Sequence, residues 1–441
     1  MIINPIISGN GGETVTIFVT GLSETDTVTV TKDGRTYNGK WVSNKNIWSF
    51  TKLKGTGTYT VTATDGTDTN SKQVTIELAG QSKSVDLTFT KIYGISRVTT
   101  DASPAWVRTD KAVGMTATAT VGTVAGSSDF NNCYPWSGIA RETLSTGDVM
   151  VKIPKFYFQR YREGSVEHIR IANKPISGFT LHPLFNHGGV ESECAYVGAY
   201  KTSSSNKSVS GASPQVSQTR ATMRNNAKAK GAGWSLIDIA ALSAIQMLIL
   251  VEFANNDVQS IIGRGYCDID SSAYSALSTG TCDNVSGLTG RPVGTDGKVD
   301  VVWRGIEGFW GNVWEWVDGV NWVGGYYYVC NDPSKYVDDT LTNYTELSFK
   351  GPKNMSNDYI TQEGLDMGSN PHVMLPSAAG SGSATTGYCD ACWAVSPDWH
   401  VLEHGGYYAN GSSCGLFAAG MYYLSDDSSV YRGSRLLYIP S

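Results

Sequence analysis

The chain has 441 residues, enough for two or three domains at about 150 residues each. Charged residues make up 17%, below the roughly 25% usual for soluble proteins, and 34 basic against 40 acidic side chains leave a net charge of −6. No basic surplus exists to displace counterions, which argues against nucleic acid or an anionic membrane as partner, and 40% hydrophobic content with 11% aromatics excludes general disorder.

The opening Met1-Ile2-Ile3-Asn4-Pro5 has no basic stretch followed by a long apolar one, so it does not read as a secretion signal. Residues 1 to about 80 read as strand after strand. Val15, Ile17 and Val19 alternate with Thr14, Thr16 and Phe18, and the same two-residue period returns in 27–31, 59–63 and 74–78. Asp33-Gly34 and Asp65-Gly66 supply hairpin turn chemistry. Short alternating strands with regular turns predict an Ig-like β-sandwich over residues 1–82, with the small polar stretch from Ala79 to Ser84 as the boundary. The Cys…Trp…Cys pattern of antibody domains is absent, so Ig-like means architecture only.

From residue 83 to 441 the composition shifts toward Trp, Tyr and Gly. Residues 151–158 read as a strand, with Pro154 favouring a sheet edge. Residues 202–214 form a polar loop. Two helices follow. The first spans Thr219 to Lys230 and ends at Gly231. The second opens at Ser235, with Asp238 three residues on, and runs to about Ala254. It is apolar nearly all round and so should be deeply buried. Its apolar core, 239–251, is shorter than the about 20 residues of a membrane span. The expectation is a soluble chain without membrane insertion or an anchoring address. Beyond Ile262 no long helical pattern recurs, which together with the two helices gives an α+β arrangement.

Residues 308–317, Gly-Phe-Trp-Gly-Asn-Val-Trp-Glu-Trp-Val, are the most distinctive segment. They resemble the GNVWEW signature of formylglycine-generating-enzyme-like domains, a branch of the C-type lectin fold. The C-terminus carries Gly405-Gly406-Tyr407-Tyr408-Ala409-Asn410-Gly411-Ser412-Ser413-Cys414-Gly415-Leu416-Phe417 and Gly433-Ser434-Arg435-Leu436-Leu437-Tyr438. These look like the variable region of diversity-generating-retroelement proteins of phage and prophage type, the group that includes major-tropism-determinant-like receptor-binding proteins. Tyr93-Gly94-Ile95 with Ser103-Pro104-Ala105-Trp106, then 178–183 and 233–238, look like elements of the same proteins.

That resemblance implies a C-type-lectin-fold domain over 83–441 with a variable binding surface at about 396–432. It implies a phage or prophage tail-fibre protein, made in the host cytoplasm and acting extracellularly in host tropism, that attaches to a bacterial cell-surface receptor, protein or glycan. A homotrimer is expected by analogy with tail fibres, with the N-terminal module meeting other tail proteins. The implied ligand-binding residues are Trp399, Tyr407, Tyr408, Ala409, Asn410, Ser413, Tyr422, Tyr423, Asp427, Ser429 and Tyr431. Trp310, Asn312, Trp314, Glu315, Trp316 and Arg435 are expected as framework, with Glu315 tied to local backbone donors and Arg435 satisfying several carbonyls beneath the loops. The residue types agree: Tyr gives large amphipathic contact area for few rotatable bonds, while Ser and Asn adapt their hydrogen bonding. Where two tyrosines are adjacent they point to opposite faces of a strand, so one of each pair can belong to the core. A bacterial surface-displayed adhesin built the same way is the alternative.

Enzymatic readings fare worse. Formylglycine-generating enzymes handle copper and oxygen with a pair of C-terminal cysteines. Here Cys389-Asp390-Ala391-Cys392 has a narrower spacing, so an oxidase is the less favoured alternative and no enzyme is expected. A lone CxxC is short of the four ligands of structural zinc unless Cys330 and Cys414 complete the set. The eight cysteines are too sparse for a disulfide scaffold, and reduced thiols are the default. His400-Val401-Leu402-Glu403-His404 matches a metalloprotease pattern, but the flanking Pro397 and Gly405-Gly406 leave no room for the helix that chemistry requires, so a surface loop is expected. No cofactor is expected. Calcium at Glu315 stays open, although Gly308 stands where an Asn side chain would be needed.

Overall fold

The computed structural model describes residues 14–270 and 275–440; the reading of Met1–Pro5 lies outside them. The chain divides into two units, 1–90 and 91–441, and is mostly β-sheet.

In the first unit, two four-stranded sheets enclose one core. One sheet runs Lys40–Val42, Ile47–Lys54, Thr14–Thr20, Ser82–Asp86; the other runs Arg35–Asn38, Thr27–Lys32, Gly57–Thr64, Thr69–Ile76. The alternation read from sequence becomes an inside and an outside: Val15, Ile17, Val19, Val30, Val61 and Ala63 are buried while their Thr neighbours face outward. Asp33 and Gly34 both take positive φ, 50° and 74°, the primed hairpin turn that matches strand twist. At the other hairpin Asp65 Oδ1 accepts from the backbone N–H groups of Thr67 (2.9 Å) and Asp68 (2.7 Å). The unit ends after Thr90, beyond the 82/83 boundary expected. Ser82–Asp86 is not linker: it pairs in parallel with Thr14–Thr20, and Val85, Leu87 and Phe89 fill the same core.

The second unit is organised around a buried helix. Helix α1 (Arg220–Lys228) is capped by Thr219, whose Oγ1 accepts from Thr222 N–H at 3.1 Å. Helix α2 (Ile239–Phe253) has every residue buried. Its N-cap is Asp238, accepting from Ala241 N–H at 2.9 Å, and not Ser235 as the sequence pattern predicted. Trp234–Leu236 instead forms a short strand on Leu436–Tyr438, and that pairing holds the chain extended up to the cap. Residues 151–158 also divide: Val149–Pro154 is an internal strand that ends at Pro154, and Tyr157–Glu163 belongs to another sheet. Among the described residues no helix is long and apolar enough to cross a membrane.

The largest sheet carries the C-terminal features. Its strand β1 (Trp314–Val323) takes up the Trp-Glu-Trp half of the GNVWEW segment and runs seven residues further. Beside it lie β2 (Ala391–Ala394), β3 (Trp399–His404), β4 (Ala419–Met421) and β5 (Arg432–Gly433), in the order β5 and β3 on β1, then β4, then β2. The 400–404 segment is therefore a buried strand and not a surface loop. It pairs with β1, placing Glu315 opposite His404 and Trp316 opposite Glu403. His404 Nε2 donates to Leu416 O at 2.8 Å, and burial holds its imidazole pKa down at about 4.

Candidate functional site

Strand β3 alternates its side chains, so Glu403 faces the side away from His400 and His404. Its carboxylate lies over Gly420 of β4. A Cβ at Gly420 would sit 2.5 Å from Glu403 Oε1, so the glycine is a requirement of close approach. Past β3 the chain turns sharply at Gly405 and Gly406, with φ of 93° and 84°. A side chain at Gly406 would strike Cys414 Sγ at 2.4 Å. This turn starts the 407–418 loop, which Asn410 ties locally: its Oδ1 accepts from Tyr407 N–H at 2.9 Å.

The returning segment 422–431 is pinned by backbone bonds at both ends. Val401 N–H donates to Tyr423 O (3.0 Å), and Trp314 N–H donates to Tyr431 O (2.8 Å). Strand β5 then pairs in parallel with β1 and brings Arg432 beside Glu403, with Arg432 Nε 2.5 Å from Glu403 Oε2. The guanidinium carbon lies 3.3 Å from the Tyr423 ring centroid, a cation–π stack.

These elements enclose a cavity of about 280 Å³ lined by Trp314, Ser356, Trp393, Glu403, Tyr407, Asn410, Tyr422, Tyr423, Tyr431 and Arg432. Aromatic pairs frame it: Trp314 and Trp393 meet edge to face at 5.2 Å, while Tyr422 and Tyr423, at 5.0 Å, and Tyr407 and Tyr431, at 4.8 Å, are tilted against each other. Tyr422 is 45% exposed at the rim, whereas Glu403 and Arg432 form the floor at 2% and 4%. Burial pushes the Glu403 carboxyl above its ordinary range, with Arg432 opposing that rise. Arg432 stays cationic: burial works against its charge, and Glu403 more than restores it.

Of the eleven residues expected to bind, Tyr407, Asn410, Tyr422, Tyr423 and Tyr431 converge on this cavity. Tyr408 and Ser413 do not present a face to solvent. Each is 3% exposed, and Tyr408 packs under Tyr407 and Tyr431 with its backbone bonded to Asn312 and Ile269. Asp427 and Ser429 are spent on turns: Asp427 Oδ2 accepts from Leu424 N–H (2.8 Å) and Ser429 Oγ from Tyr431 N–H (3.2 Å). Trp399 and Ala409 are half-buried and outside the lining. Trp314, expected as framework, does line the cavity, while Trp310 and Trp316 are core. Ser356, Trp393, Glu403 and Arg432 were missed. Arg432 directly follows Tyr431, and Glu403 sits inside the pattern read only as a protease signature.

Beneath the site lies a second charged group. Glu315 is fully buried and meets Lys201 Nζ at 2.8 Å and Arg435 Nη2 at 2.7 Å. Its partners are side-chain cations and not the backbone donors expected. Burial alone would raise this carboxyl, but Arg435 and Lys201 override it and hold it at about 2. Arg435 also donates to the carbonyls of Gly198, Glu307 and Gly308. Lys201 Nζ further reaches Val313 O at 2.8 Å. The oxygens weighed for calcium thus already coordinate an ammonium and a guanidinium, and this set does not fit a divalent cation. Asn312 spends its side chain on both backbone groups of Leu277.

All eight cysteines are free thiols. Burial pushes the Cys389, Cys392 and Cys414 thiols up. Among the described residues, no three His, Cys, Asp or Glu side chains gather as a metal site. No protein-family model matches the chain, and no curated protein matches it significantly.

Proposed function

We propose that this chain is the receptor-binding protein of a phage or prophage tail fibre. On this reading the first unit is an Ig-like sandwich that joins the fibre, and the second is a C-type-lectin-fold platform for a bacterial surface ligand. The single observation that carries it is convergence. Five residues picked out from the C-terminal frame, spread from Tyr407 to Tyr431, line one aromatic cavity. Pockets with apolar aromatic walls and a few convergent polar groups are the usual form of a ligand site. The action is binding without a chemical step. Copies on a trimeric fibre would raise avidity through effective concentration.

The test is adsorption. Fluorescently labelled full-length chain is mixed with a panel of bacterial strains, and bound label is read by flow cytometry. At least one strain should bind, and the combined substitution Tyr407→Ser, Tyr422→Ser and Tyr431→Ser should abolish that binding while circular dichroism stays native. Undiminished binding by this variant would remove the proposal. Val124→Ser, on an exposed residue outside the cavity, is the control and should bind normally.

A further inference from the structure

Resting on the reading of this cavity as the receptor site, we infer that its ligand is one neutral, hydroxyl-rich ring: a single pyranose residue of a cell-surface glycan. Charge and size decide between the alternatives.

A cationic group would suit an aromatic box in general. Here the protein has already placed its own cation there. The Arg432 guanidinium stacks on Tyr423 at 3.3 Å and lies 5.7 Å from the Trp316 ring, so an arriving lysine or quaternary ammonium meets like charge. An anion meets the Glu403 carboxylate, while Arg432 is committed to that carboxylate through both Nε and Nη2. A purely apolar group would cap the Glu403–Arg432 pair with hydrocarbon, and desolvating such a pair without new hydrogen bonds is unfavourable. The cavity, about 280 Å³, has room for one ring and its substituents and not for a folded surface.

A neutral polyhydroxylated ring meets each condition. Its C–H face rests on the electron-rich faces of Trp393 and the rim tyrosines. Its hydroxyls, each both donor and acceptor, find the planar Glu403 carboxylate, Ser356 Oγ and the Asn410 amide. Charge-assisted bonds to the floor pair then supply orientation. The floor sets the chemical class, and the tyrosine rim chooses among sugars and linkages.

The experiment uses the full chain and a strain that binds it. Cells are treated with periodate, which cleaves vicinal diols, or with a broad protease. Separately, the methyl glycosides of glucose, galactose, mannose and N-acetylglucosamine are screened by saturation-transfer NMR and as competitors. Adsorption should fall at least tenfold after periodate and persist after protease, and at least one glycoside should compete. Trp393→Ala should remove the glycoside signal, and Tyr422→Ala, at an exposed position, should weaken it several-fold in a natively folded protein. Adsorption that survives periodate and is lost to protease would overturn the sugar inference while the receptor reading stands. A chain that takes a glycoside but adsorbs to no strain keeps the sugar site and sinks the receptor reading. A chain that does neither overturns both.

Discussion

Two glutamate–arginine pairs lie side by side in this molecule and do opposite work. Glu315–Arg435 is sealed, with Lys201 and three carbonyls completing its hydrogen bonds. Glu403–Arg432 occupies neighbouring register positions on the same sheet, but one side opens on the aromatic cavity. The sealed pair has no bonding capacity left for a ligand, so its energy goes into fixing the loops. The open pair keeps its carboxylate where an incoming molecule can reach it. On the proposed reading, a buried ion pair serves recognition only when its last neighbour is left out.

Breaking the sealed pair should have the largest effect. Arg435→Met strands Glu315 with Lys201 alone, and urea denaturation should show a loss of about 3–5 kcal/mol. If the loss were under about 1 kcal/mol, the two pairs would not differ in kind. Gly420→Ala attacks the open pair from behind. The new Cβ would lie 2.5 Å from Glu403 Oε1, and overpacking of this kind costs about 1–3 kcal/mol. Adsorption should fall with it, because the carboxylate is displaced from the floor.

A smaller, pH-resolved difference sharpens the framework side. His372 is fully buried with both ring nitrogens unpartnered, and burial holds its pKa at about 3. Its unfolded counterpart takes a proton near 6.5, so between pH 6.5 and 3 the unfolded chain binds more protons. Stability from this group is complete above pH 6.5 and is lost as pH falls toward 3. His372→Leu should therefore flatten the acid-side slope of the denaturation midpoint between those pH values. An unchanged slope would show that the imidazole does not titrate this way. Smallest of all, Tyr422→Ala should shift stability by no more than about 0.5 kcal/mol, since the residue is nearly half exposed.

Much of this arrangement was legible in the chain, for uneven reasons. The sandwich-like first unit was readable because two-residue alternation maps directly onto inside and outside, and Asp-Gly turns fix the hairpins. The buried helix was readable because residues 239–253 offer no polar face. Half the lining was found, through four tyrosines and Asn410. The floor was not, because Glu403 and Arg432 are distant in sequence and only the β1–β3 and β1–β5 pairings bring them together. Tyr408 was misplaced for a local reason: in the loop after Gly406 it turns under Tyr407 and Tyr431, whereas the adjacent Tyr422 and Tyr423 both reach the cavity, and sequence alone does not separate the two cases. Asp427 and Ser429 have the composition of contact residues, yet turn formation claims both side chains.

How the segment 422–431 is suspended has a bearing on evolvability. Tyr423 and Tyr431 are anchored through their main-chain carbonyls, so the backbone path of the segment does not depend on hydrogen bonds from their side chains, although the Tyr423 ring stacks on Arg432 and Tyr431 packs on Tyr407. On the proposed reading, substitutions at such positions should leave the backbone path of the loop in place. Asn410, Asp427 and Ser429, whose side chains shape the backbone, form a conservative minority where the same edits would deform the loop. The loop thus holds its course partly through main-chain bonds and partly through the side chains of Asn410, Asp427 and Ser429.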